Sequence, residues 1–167
     1  PGTVTCFSAT DGTASFTVTG IANGTNYSYV VDSRTPVTGT STGNPFNFSV
    51  SGLSAGSHRI TVTNSTTNCP VIEDVIVRGS AAALKLNDPD LTHVTCKGKG
   101  SATINAVDGS GSYTYTVTPT SPAGTAKVQF KVNKFTDLNA GDYSVSVTDL
   151  TGCTVVGQPF TINGSVN

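Results

Sequence analysis

The sequence lacks methionine and tryptophan, and only 11% of its 167 residues carry charge. Its formal net charge is −1 and its few basic residues form no patch, which argues against electrostatic binding of nucleic acid or of an anionic membrane. No apolar run approaches the roughly 18 residues that a membrane-spanning helix needs, so no membrane insertion is expected. The chain is instead rich in threonine, serine and valine, and the stiff, branched side chains of threonine and valine favour strands over helices. The composition therefore predicts an all-β protein.

Cysteine is scarce and widely spaced, with one pair in each half of the chain: Cys6 and Cys69, then Cys96 and Cys153. No two of them have the C-x-x-C spacing of a zinc or redox site. We expect one disulfide in each half, Cys6–Cys69 and Cys96–Cys153, each stabilising by about 4 kcal/mol on the chain-entropy model. Four free buried thiols in a cytosolic protein are the alternative. Persistent disulfides require an oxidising compartment, so an extracellular location is predicted.

The two halves of the sequence repeat one another. Val4-Thr5-Cys6 recurs as Val94-Thr95-Cys96, and residues 53–64 recur as residues 138–149, each of these segments followed by a cysteine within five residues. Further matches between them keep the same order along the chain. This self-similarity predicts two homologous modules in tandem.

The module boundary is predicted near Gly79-Ser80, which gives domains 1–79 and 80–167. About seven short strands per module, with no helical periodicity, predict two immunoglobulin-like β-sandwiches, each with one intradomain disulfide. Residues 81–86 are the predicted first strand of the second module. The first module is expected to lack its equivalent strand, as a divergent repeat in a fragment of a longer array.

A period-2 pattern covers residues 127–135. Val128, Phe130 and Val132 alternate with Lys127, Gln129 and Lys131. This alternation predicts a half-buried strand whose apolar residues face the core.

The repeated segment Leu-x-Ala-Gly-x-(His/Tyr) has the layout of a tyrosine corner, in which a tyrosine at the start of a late strand bonds back to the preceding turn. Tyr143 fills this position in the second module and His58 fills it in the first. Tyr143, the repeat counterpart of His58, could replace a histidine neither as a metal ligand nor as a catalytic base. His58 is therefore interpreted as a corner residue with its polar tip at the surface. His93, whose repeat counterpart is Thr3, has no repeated role either.

No catalytic residues are predicted. The sequence has no frame for a Ser-His-Asp triad, and no carboxylate pair is placed alike in both modules. Asp88 and Asp90, together with Asp108 and Asp149, are weak candidates for oxygen ligands of calcium. The alternative is that these aspartates start turns and keep the surface soluble. No cofactor is predicted.

Two tyrosine pairs, Tyr27/Tyr29 and Tyr113/Tyr115, have the i, i+2 spacing that places both rings on one face of a strand. Such pairs can form a sugar-binding platform, but they more often fill a sandwich core, and the core is the favoured interpretation.

The second module resembles the SprB repeat of large cell-surface adhesins from gliding Bacteroidetes. The resemblance rests on Val94-Thr95-Cys96, on Tyr113-Thr114-Tyr115 and on the segment from Leu138 to Cys153. It covers nearly all of residues 80–164 and is looser over residues 1–79. It implies a protein exported by the type IX system, carried along the cell surface, and used to grip a substratum.

The predicted function is therefore that of a non-enzymatic repeat fragment of a large secreted adhesin, serving as stalk and adhesive surface in gliding or attachment. Its expected partners are neighbouring repeats of the same polypeptide and a surface polysaccharide or substratum, and the fragment itself is expected to be monomeric. The alternative is a carbohydrate-binding or spacer module of a secreted polysaccharide-degrading enzyme.

Overall fold

The computed structural model describes residues 2–165. This part of the chain is all-β and has no helix, so it contains none that is long and apolar enough to cross a membrane. The chain divides into two compact units, Pro1–Gly79 and Ser80–Asn167, which we call module one and module two. Each has a hydrophobic core of its own.

Module one forms two antiparallel sheets, one of order β1-β4 and one of order β3-β2-β5-β6. In the lettering of the immunoglobulin fold these are B–E and C′–C–F–G. A parallel bridge from Thr3 to Arg78 lies just beyond β6. The strands are β1 (Gly12–Val18), β2 (Asn26–Val31), β3 (Val37–Thr40), β4 (Phe46–Leu53), β5 (Gly56–Asn64) and β6 (Pro70–Val77).

The alternation of side chains along β5, which pairs with β2 and with β6, shows which of its residues form the core of module one. His58, Ile60 and Val62 are buried, whereas Arg59 and Thr61 between them point away from the core. Leu53 at the end of β4 is fully buried against the same cluster. Since alternate residues of a strand face opposite sides, one short sequence supplies both the core and the outer surface.

Module two repeats this arrangement with sheets of order β13-β9-β8 and β12-β11-β14-β15, with β16 also paired to β14 and a separate β7–β10 ribbon. In immunoglobulin lettering, in the same order, these sheets are E–B–A and C′–C–F–G. Its strands are β7 (Lys85–Leu86), β8 (Asp90–Thr92), β9 (Gly100–Thr103), β10 (Ala106–Val107), β11 (Thr114–Ser121), β12 (Lys127–Phe130), β13 (Lys134–Leu138), β14 (Gly141–Thr148), β15 (Thr154–Val156) and β16 (Phe160–Ile162).

The prediction that residues 127–135 form one strand with Val128, Phe130 and Val132 facing the core is wrong. The segment is two strands, β12 and β13, in different sheets, separated near Lys131, which has a positive φ of 61°. Register pairs Phe130 with Thr114 and Val128 with Thr116, all on the outer face, so both apolar side chains are more than half exposed. Val132, beyond the end of β12, is also 54% exposed. The core positions are taken by Phe135 and Leu138, both essentially inaccessible.

Candidate functional site

In module two the corner residue is Tyr143, at the start of β14. Its hydroxyl donates to the carbonyl oxygen of Asn139, four residues earlier, at 2.9 Å. The ring is buried and stacks on Phe160 with centroids 5.4 Å apart. Gly141, the first residue of β14, has a φ of +149°, and a Cβ there would collide with the Ser121 carbonyl oxygen. The hydroxyl thus ties the start of strand F to the turn before it.

His58 makes the corresponding contact in module one. Its Nε2 lies 2.8 Å from the carbonyl oxygen of Ser54, again four residues earlier, and its Nδ1 lies 2.8 Å from a carboxylate oxygen of Asp32. A carbonyl and a carboxylate can only accept, so this geometry suits a ring with hydrogen on both nitrogens, the imidazolium form. The hydrogen bond to Asp32, followed by that to Ser54, raises the pKa of His58 above its usual value.

The burial of His58 corrects the expectation that its polar tip lies at the surface. The residue is only 6% exposed. Asp32, 26 residues earlier in the chain, supplies the second partner, and its other carboxylate oxygen accepts from the Arg59 amide at 2.8 Å. The hydrogen bond from His58 lowers the pKa of Asp32. Because Nε2 is bonded to a backbone carbonyl, this His–Asp pair has no nitrogen left to act as a general base.

The predicted disulfide pairs do not form. Cys69 and Cys96 are free and exposed, whereas Cys6 and Cys153 are disulfide-bonded. A disulfide within each module, Cys6–Cys69 and Cys96–Cys153, is therefore absent from the structure.

The length of strand F explains why the two cysteines of each module do not form a disulfide. Cys6 lies two residues after Val4, whose amide donates to the Arg78 carbonyl oxygen near the Gly56 end of β5. Cys69 lies near the other end of β5, where its carbonyl oxygen accepts from the Asn64 amide. Nine residues of strand span about 26 Å, while bridged cysteines have Cα atoms about 4–7 Å apart.

The same arrangement recurs in module two. Val94, two residues before Cys96, donates to Asn163 beside the Gly141 end of β14, and Cys153 accepts from Asp149 beyond its far end. The two cysteines of a module thus lie at opposite ends of its sandwich.

Thiol labelling is expected to distinguish the four cysteines. Without reductant, a maleimide should modify Cys69 and Cys96 and leave Cys6 and Cys153 unmodified, because exposed thiols react and disulfide sulfurs do not. Peptide mass mapping gives the sites. After reduction in denaturant, all four should react. Protection of Cys69 in the native, unreduced chain would contradict this assignment.

Asp149, which follows β14, is a buried carboxylate that accepts hydrogen bonds from two turns. One oxygen accepts from the Thr151 amide and hydroxyl at 3.0 and 2.8 Å and from the Cys153 amide at 3.0 Å. The other accepts from the Ser110 amide at 2.9 Å. Burial raises the pKa of this carboxyl, but the hydrogen bonds outweigh burial and the net pKa is lowered. The sequence alone left Asp149 as either a weak calcium candidate or a turn-starting aspartate, and its bonds to the turn amides fit the second.

The repeat counterpart of Asp149 is Asn64, whose side chain caps the equivalent turn with fewer hydrogen bonds. Its side-chain oxygen accepts from the Thr66 amide at 2.8 Å and from the Thr67 amide at 3.3 Å. Both residues are therefore turn caps at the end of strand F.

The calcium candidates have ordinary protein partners or lie exposed. Asp90 accepts from the Asn105 side-chain amide at 2.9 Å, and Asp108 lies 3.8 Å from the Lys85 ammonium. Asp88 is exposed. Within residues 2–165 no three His, Cys, Asp or Glu side chains are grouped so that they could hold a metal ion. His93 is exposed, and its Nδ1 accepts from the Asn163 amide at 3.1 Å.

The tyrosine pairs lie in or against the cores. Tyr27 and Tyr115 are buried, and Tyr27 packs on Phe46 with ring centroids 4.8 Å apart. Tyr29 is half-buried and stacks on Phe48, while the half-buried Tyr113 donates its hydroxyl to the Asp108 carbonyl at 2.7 Å. Neither pair forms an exposed platform of two rings.

The surface opposite each core is the outer face of the C′–C–F–G sheet. In module two it carries hydroxyl side chains in paired rows, such as Thr116 beside Ser146, with exposed Phe130 at one edge and Val156, 72% exposed, at the other. We call this the outer face of module two; its members are Thr114, Thr116, Val128, Phe130, Ser146, Thr148, Thr154 and Val156.

Module one presents a similar surface, where Thr61 lies between Val30 and Ile72. Ile72 is 56% exposed and corresponds in register to Val156. One ion pair, between Arg59 and Asp74, crosses this face. Both faces are thus mainly hydroxyl and apolar surface.

No protein-family model matches the chain, and no curated protein matches it. Among solved structures, a C-terminal 282-residue fragment of intimin, in complex with the intimin-binding domain of the translocated intimin receptor, is similar with a TM-score of 0.44 and 16% identity. The similarity covers 92% of this chain, which spans only 57% of that fragment. A two-domain fibronectin type III segment of chicken tenascin has a TM-score of 0.33 and 17% identity, with 93% of each chain covered. At these TM-scores neither similarity supports a function for this chain.

Proposed function

We propose that this chain is a non-enzymatic part of a secreted surface adhesin, in which immunoglobulin-like modules extend a stalk and present adhesive sheet faces. The observation that carries the proposal is the outer face of module two. Its members carry no charge, and it exposes Val128, Phe130 and Val156 among rows of threonine and serine, with the Lys131 ammonium 5.1 Å from the centroid of the Phe130 ring. Val128 and Phe130 are neighbours on this face of β12, and contiguous exposed apolar side chains are typical of an interaction surface.

The disulfide supports a secreted location. Cys6 and Cys153 are oxidised, and such bonds persist outside the reducing cytosol. The resemblance of module two to the SprB repeat adds the finer proposal of a gliding-motility adhesin, exported by the type IX system and displayed on the cell surface. The partners would be neighbouring repeats and a polysaccharide-coated substratum.

Retention on agar-coated and bare glass beads tests the proposal. The double variant Val128→Asp, Phe130→Asp should bind about tenfold less than the unmodified chain, because charge is placed where apolar surface meets the substratum. Leu150→Asp is the matched control, since Leu150 is 70% exposed in a turn outside this face, and it should bind as the unmodified chain does.

Equal retention of the double variant and the unmodified chain would overturn the assignment of this face. A glycan array distinguishes the adhesin from the alternative function, a carbohydrate-binding module. Specific binding of one glycan that is lost in Tyr113→Ala would favour a carbohydrate-binding module of a secreted polysaccharide-degrading enzyme. Tyr115 is unsuitable for this test because it is part of the core.

A further inference from the structure

One edge of module one is open where module two is covered. In the described part of the chain β4 is the only strand that pairs with β1; on the other edge the Gly2 amide donates to the Thr13 carbonyl at 2.6 Å, and beyond that bond no strand pairs with the edge. Beside its other edge runs a groove of about 330 Å³ whose apolar lining includes Phe16, Val18, Ile60 and Val62. Phe16 is consequently only half-buried.

The equivalent edge of module two carries two short strands. The repeat aligns Ala14, Phe16 and Val18 with Ala102, Ile104 and Ala106. There β8 pairs with β9, placing Leu91 opposite Ala102, and β7 pairs with β10, placing Leu86 opposite Ala106; both pairings are antiparallel. Ile104, between them, is only 1% exposed.

The covering segment, residues 84–92, has the chemistry of an inserted strand. Leu84 is buried, and Leu86 and Leu91 pack against the core of module two, with polar residues between them. Val4 corresponds to Val94, so residues 84–91 have no counterpart among the described residues of module one.

We infer that the groove beside β1 is a receptor for an extended strand, antiparallel to β1, that carries leucine-sized side chains at the spacing of Leu84, Leu86 and Leu91. Main-chain hydrogen bonds to the free edge would hold the strand, and its apolar side chains would cover Phe16 and Val18. Such a strand closes the sheet edge and completes the A–B–E sheet that module two already has. The inference rests on the fold and does not depend on the adhesive role.

A peptide with the sequence of residues 83–92 tests this in the full chain. At millimolar peptide, amide hydrogen exchange at Ser15, Thr17 and Thr19 should slow by about tenfold or more, because a new strand would protect the edge. The matched control peptide has serine in place of Leu84, Leu86 and Leu91 and should give no protection.

Fusing the strand to the chain makes the test independent of the affinity of the free peptide. A variant in which the sequence of residues 81–91 precedes Gly2 should raise the melting temperature of module one by about 5 °C or more, and the same fusion with the three leucines changed to serine should not. No protection by either peptide, or equal effects of leucine and serine versions, would overturn the inference. Protection of the same amides that rises with protein concentration alone would also overturn it, by assigning the edge to a second copy of the chain.

Discussion

Replacing Asp149 by alanine is expected to lower the free energy of unfolding of module two by about 3 kcal/mol. The change removes a buried carboxylate that accepts hydrogen bonds from the Thr151 hydroxyl and from the backbone amides of Ser110, Thr151 and Cys153. Alanine leaves these amides without that partner in a place where water is largely excluded. The loss should appear as a lower urea midpoint for the Tyr115 and Val117 amide signals in NMR spectra of the full chain.

Two further variants make this expectation specific. Asp149→Asn copies Asn64, which caps the same turn in module one through its side-chain oxygen, so it should retain part of the stability. Asp142→Ala removes an exposed carboxylate that accepts only from the Thr161 hydroxyl and should cost less than about 1 kcal/mol. If alanine and asparagine at position 149 were equally mild, the carboxylate would not be the clamp between these turns.

Features carried by local sequence could be predicted. The corner at Tyr143 needs only a glycine turn and a bond to a residue four positions earlier, and comparing it with His58 removed the catalytic interpretation of the histidine. The outward direction of Phe130 could not be predicted, since a period-2 pattern has the same appearance whichever face meets the core. Only the register with Thr114 decides the direction.

Contacts between residues far apart in the sequence could not be predicted either, because they also depend on strand pairing. The hydrogen bond between His58 and Asp32 joins β5 to the turn after β2, and no signal in either segment points to the other. The cysteine pairs were inferred from their position in the chain, while the length of β5 and β14 keeps the two cysteines of each module apart. Strand pairing brings together residues distant in sequence, and it keeps apart cysteines that lie in the same half of the chain.

The buried His58 gives module one a pH dependence that module two lacks at its corner. The pKa of His58 is raised in the folded state, so its charged form contributes stability that is fully present below the unfolded pKa of about 6.5 and is lost as the pH rises through the folded pKa. The pKa of Asp32 is lowered, so its contribution is present above about 3.8 and is lost as the pH falls through its folded pKa. Module one should therefore be more stable near pH 5.5 than near pH 8.5.

The urea midpoints of the Ile60 and Val62 amide signals, followed from pH 5 to pH 9, measure this effect. His58→Tyr installs the side chain of Tyr143 and should remove the fall in midpoint over this range, whereas His58→Ala should cost about 3 kcal/mol at pH 6 through lost packing and two lost hydrogen bonds. The Val145 and Val147 signals of module two, read in the same samples, are the internal control, since their corner is a tyrosine. A titration of the His58 ring with a pKa at or below 6.5 would contradict the ion pair, because only the charged ring can donate to both Asp32 and Ser54.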